Sequence, residues 1–88
     1  MATTNLDLRN ALDRLNTAAE TPLSPLGINY VWNVGSFTFG VHLRTYRLEQ
    51  VQFTSGASRS FGEFGTKLQL LLRIEAMIDG ITVAKGGK

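Results

Sequence analysis

From Ile28 to Thr54 the chain reads INYVWNVGSFTFGVHLRTYRLEQVQFT, and apolar side chains alternate with polar ones along most of it. Alternation with a period of two puts one set of side chains on one face of a β-strand, so this stretch constrains the fold more than any other. Gly35-Ser36 suits a two-residue hairpin turn with glycine first. Residues facing across that turn pair as Val34–Phe37, Trp32–Phe39, Tyr30–Val41 and Ile28–Leu43, each apolar against apolar. A three-residue loop at Thr45-Tyr46-Arg47 then sets Val41 against Val51, Phe39 against Phe53 and His42 against Gln50. The expectation is a three-stranded antiparallel meander with one apolar face. Its other face is nearly uncharged and carries Asn29, Asn33, Thr38, His42, Gln50 and Gln52.

The flanks read as helices. From Leu6 to Ala19, residues Leu8, Ala11, Leu12, Leu15, Ala18 and Ala19 share a stripe roughly 120° wide. Asp7, Arg9, Asn10, Asp13, Arg14 and Asn16 point outward on the same wheel, and Thr4 with Asp7 resembles a capping box. Glu20 to Gly27 is a connector in which Pro22 and Pro25 disfavour helix. Thr54 to Gly65, rich in Gly and Ser, reads as a mobile loop interrupted by Phe61 and Phe64. A second helix is expected over Thr66 to Asp79, opened by the Thr66–Gln69 capping box and closed by Gly80. Its apolar residues cover an arc of about 220°, wider than the ~100° that one sheet needs. Ile81 to Ala84 suits a short extra strand.

The economical assembly is a two-layer α+β domain, α-β-β-β-α, with both helices on the apolar face of the sheet. Its 88 residues make one domain, placed at residues 1–84, with residues 85–88 a disordered tail. The element order resembles that of the double-stranded-RNA-binding domain. That resemblance implies duplex contact through the first helix, a strand-connecting loop and lysines opening the second helix, where this chain carries Lys67 alone.

Composition narrows the function. There is no cysteine and one histidine, which removes disulfides, thiolate chemistry and cysteine-based zinc sites. His42 has no carboxylate placed beside it, and the seven acidic residues are scattered, so no acid/base pair and no enzymatic role is expected. No cofactor is implied. The net charge of +2 resides in Lys85 and Lys88, and residues 1–84 carry no net charge. No apolar run approaches ~18 residues and the N-terminus does not read as a signal peptide, so the expectation is a cytoplasmic protein without a membrane role.

Two functions fit. The first is a protein-interaction module that self-associates or docks on a larger assembly, of the kind found among phage and mobile-element accessory proteins. It would use the polar sheet face, the Ile28–Val34 edge or the surplus arc of the second helix. The alternative is nucleic-acid or anion binding through Arg44, Tyr46, Arg47, Arg59 and Lys67, with aromatic rings available for stacking.

Overall fold

The structure, a computed structural model, describes residues 3–27 and 31–86. The order is α1 (Asn5–Ala19), β1 (Phe37–His42), β2 (Thr45–Val51), β3 (Ser58–Gly65) and α2 (Lys67–Ala84). The α-β-β-β-α arrangement expected from the sequence is present, built from a different set of strands.

Both helices start where local chemistry places them. Asp7 N–H donates to Thr4 Oγ1 at 3.1 Å while Thr4 N–H donates to Asp7 Oδ2 at 2.8 Å. Thr66 and Gln69 repeat the exchange at 3.1 and 2.8 Å. Each box satisfies backbone donors that a helix start leaves orphaned. Helix α2 runs through Gly80 to Ala84, so neither the glycine stop nor the extra strand at 81–84 forms. Glycine inside a helix costs about 1 kcal/mol, and Ile81, packed against the core, offsets it. Arg14 pairs with Glu75 at 3.5 Å and Lys85 with Glu20 at 3.1 Å, so the helices lie side by side and run in the same direction. Lys85, placed in the tail by the sequence reading, is thus held against the end of α1.

The sheet has the order β1-β2-β3, antiparallel throughout. Its register overturns the expected one. Phe37 faces Gln50, Phe39 faces Leu48, Val41 faces Tyr46 and His42 faces Thr45. The first turn is therefore Leu43-Arg44, with φ of 47° and 66°. Positive φ at both central residues is the type I′ pattern, which matches strand twist. Gly35 and Ser36 form no hairpin between strands. Gly35 N–H donates to Val51 O at 2.8 Å and Ser36 O accepts Val51 N–H at 2.9 Å, so this segment lies along the end of β2. The proposed first strand leaves one isolated bridge, Leu26 to Trp32, and Ile28, Asn29 and Tyr30 lie outside the described residues. The pairs expected for Trp32, Val34 and Phe53 are not made.

The third strand is the stretch read as a loop. SRSFGEFG forms β3, and Gly62, at φ 81°, turns the chain through a bulge between Phe61 and Gly65. Alternation puts Phe61 on the helix side and Phe64 on the opposite one. The core joins Leu8, Ala11, Leu12 and Leu15 of α1 to Phe37, Leu48, Leu70 and Ile74, with Phe39, Tyr46 and Phe61 packed around them. Both helices therefore cover the apolar face of the sheet. Asn16 lies in this core, fully buried, not on the outward side of α1.

Candidate functional site

The residues singled out as a polar interaction face do not form one surface. Thr38 and His42 do project from the side of the sheet away from the helices, as the alternation from Phe37, Phe39 and Val41 requires. Gln50 faces Phe37, on the helix side, and donates from Nε2 to Gly35 O at 3.0 Å, closing the end of the sheet. Asn33 sits in the connector, where its Nδ2 donates to Ser24 O at 2.9 Å and its N–H to Pro25 O at 2.8 Å. Gln52 follows β2 and its N–H donates to Ala57 O at 2.8 Å. Asn29 lies outside the described residues.

The outer face is also not uncharged. Arg47 projects from its middle, with Nη2 3.0 Å from Glu49 Oε2, and its guanidinium lies 4.2 Å from the centroid of the Phe64 ring. Ser58 Oγ donates to Glu49 Oε1 at 3.0 Å, and the His42 ring centroid is 5.8 Å from that of Phe64. Arg47 and Glu49, two apart on one strand, share a face by simple alternation, a signal present in the sequence. Phe64, three residues from the inward Phe61, reaches this side by the same alternation once residues 58–65 form a strand. The guanidinium is thus occupied by a carboxylate and a ring.

The five residues of the nucleic-acid reading fall in three places. Arg44, Tyr46 and Lys67 come together at an open pocket of about 400 Å³ that Thr66 and Leu68 also line. Lys67 Nζ stands 5.5 Å from the Tyr46 ring centroid, and Tyr46 packs 5.8 Å from Phe39. Arg47 is on the outer face. Arg59 faces Gln50 across β2 and β3 and lies 4.8 Å from the Phe61 ring centroid, at the other end of the sheet from Arg44.

Two apolar surfaces emerge that sheet reasoning alone did not place. On the solvent side of α2, Leu68, Leu72 and Ala76 follow one another at four-residue spacing, with Val83 beyond them, all exposed. Beside β1, a groove of about 380 Å³ is walled by Leu12, Leu23, Pro25, Phe37 and Phe39, with Arg9 and Asp13 among its lining. Among the described residues, no group of three or more His, Cys, Asp or Glu gathers to hold a metal ion, and no helix is long and apolar enough to cross a membrane. Comparison with protein families, with curated proteins and with solved structures finds no match.

Proposed function

We propose that this protein is a non-enzymatic interaction module that self-associates through the outward ridge of α2. The observation that carries this reading is the ridge itself. After α1 and the sheet have taken their sides of α2, Leu72 remains 56% exposed, flanked by exposed Leu68, Ala76 and Val83. Single exposed leucines are ordinary, whereas an apolar row along one helix face is the form in which helices dock. Covering a half-exposed leucine contributes about 1 kcal/mol. Association costs at least about 4 kcal/mol, so a contact limited to this ridge is reversible and concentration-dependent. Sedimentation velocity from micromolar to millimolar protein tests it. Leu72→Glu is expected to shift the weight-average mass toward that of one chain. An unchanged distribution for Leu72→Glu, or a strict monomer for the parent chain, defeats the reading.

A second reading, nucleic-acid binding, is favoured by the convergence of Arg44, Lys67 and Tyr46 at one pocket. Two cations beside a ring suit a phosphate next to a stacked base. Fluorescence anisotropy with a mixed-sequence single strand at low salt checks it. Binding lost in an Arg44→Ala, Lys67→Ala chain supports it, and absence of binding by the parent chain ends it.

A further inference from the structure

The two edges of the sheet are treated differently. Strand β3 is broken by the Gly62 bulge, carries Arg59 and Glu63, and lends the carbonyls of Phe61 and Glu63 to the guanidinium of Arg73 at 3.4 and 3.2 Å. Bulges and charges are the devices that keep edge strands from pairing with other chains. Strand β1, FTFGVH, has no charged residue and pairs with β2 without a bulge. Among the described residues, only Phe37 of its edge is sealed. Asn16 takes both the N–H and the C=O of Phe37, so these groups point away from β2. Alternation along the strand makes the N–H and C=O of Phe39 and Val41 point the same way. No backbone hydrogen bond among the described residues reaches them from that side.

We propose that two copies of this chain pair antiparallel along β1, joining their sheets into one of six strands. Centred on Gly40, this pairing sets Phe39 against Val41 of the second copy and Thr38 against His42 of the second copy. Apolar meets apolar on the helix side, and no charge opposes another. The paired span runs from Thr38 to His42, between the Asn16 seal and the turn, so the Asn16–Phe37 bonds stay intact.

Beyond the paired span, at the turn, the same register brings Leu43 of the second copy beside the apolar groove of Leu12, Leu23, Pro25, Phe37 and Phe39. Leu43 is 83% exposed and sits at the turn tip with φ 47°. Within one protomer a leucine gains nothing there, and asparagine or glycine takes that conformation with less strain. A partner's groove supplies a reason for an apolar side chain at this tip. By symmetry, the pairing covers two Leu43 side chains and two Val41 side chains, the latter 58% exposed in one chain.

This pairing is independent of the α2 ridge, and its test removes that ridge. A Leu72→Glu chain is expected to remain a concentration-dependent dimer in sedimentation equilibrium. Adding Leu43→Asn is expected to raise its dissociation constant at least about tenfold, while the melting temperature measured on monomer at low concentration rises because asparagine relaxes the turn. Adding Val41→Pro is expected to weaken the dimer with an unchanged far-UV spectrum, because it removes only an outward N–H. The chain has no cysteine. Thr38→Cys and His42→Cys chains, mixed under mild oxidation, are therefore expected to cross-link with each other in preference to themselves. A Leu72→Glu chain that is monomeric to about millimolar concentration overturns the β1 pairing and leaves the α2 reading standing. Unchanged dimerisation of the Leu43→Asn chain, or no preference for the mixed cross-link, also overturns it. If Leu72→Glu associates like the parent and Leu43→Asn abolishes that association, the α2 reading fails and the β1 pairing stands.

Discussion

The side-chain amide of Asn16 grips the backbone of Phe37 at both ends. Its Oδ1 accepts the Phe37 N–H at 2.7 Å and its Nδ2 donates to Phe37 O at 3.1 Å, while Thr21 Oγ1 donates to the same Oδ1 at 2.7 Å. A fully buried amide thereby imitates a neighbouring strand for one residue and fixes α1 on the start of β1. Asn16→Ala leaves a buried donor and acceptor without partners. It is expected to lower unfolding free energy by about 2–4 kcal/mol in urea melts. A loss below about 0.5 kcal/mol means the contact is not held in solution.

Leu48 and Phe53 separate the observed register from the one that alternation suggests. Leu48 is fully buried between Phe39 and Phe61, whereas Phe53 lies exposed in the turn after β2. Leu48→Ala is expected to cost about 2–5 kcal/mol and Phe53→Ala less than about 1 kcal/mol, by thermal or urea unfolding. The reverse order of costs would restore the Phe39–Phe53 pairing.

Gly62 and Gly80 are expected to respond to alanine in opposite directions. At Gly62, φ is 81° and an added Cβ would stand 2.5 Å from Arg73 Nη1. Gly62→Ala therefore strains the backbone and displaces the guanidinium that holds the bulge, lowering stability by about 1–3 kcal/mol. Gly80 is helical with nothing within 4 Å of an added Cβ. Gly80→Ala is expected to stabilise the chain by about 0.5–1 kcal/mol. Differential scanning calorimetry of both variants decides the signs.

Arg47 and Glu49 form the best-shielded ion pair of the outer face, with side chains 31% and 16% exposed. Their partial exposure limits the coupling to about 0.5–1 kcal/mol. A double-mutant cycle with Arg47→Met and Glu49→Gln is expected to return that value at low salt and a smaller one at about 1 M salt. A coupling that does not change with salt would point to hydrogen-bond geometry in place of charge.

What the sequence alone determined was local. Thr4 with Asp7 and Thr66 with Gln69 announce their helices because a capping box is complete within four residues. The stripe of Leu8, Ala11, Leu12 and Leu15 likewise needs only the helical period to find its core face. Element order and the two-layer arrangement follow from those signals and the alternating run. The register did not, because a strand of alternating apolar residues matches several partners equally well. Gly35-Ser36 and Thr45-Tyr46-Arg47 were the expected turns, whereas the turn that forms, Leu43-Arg44, has no Gly, Asn or Pro to announce it. The same difference moved the third strand from Leu48–Thr54 to Ser58–Gly65. There a stretch that Gly and Ser make loop-like pairs with β2 around a bulge at Gly62, and alternation sets Phe61 inward and Phe64 outward. Asn16 reads as solvent-facing on a wheel, since its partner lies twenty-one residues away. The candidate surfaces were legible to the same degree. Excess apolar residues on α2 showed in the sequence, but which of them stay uncovered was settled by where α1 and the sheet lie. The open edge of β1 and the groove beside it exist only once the tertiary structure has put α1, the connector and the first hairpin together.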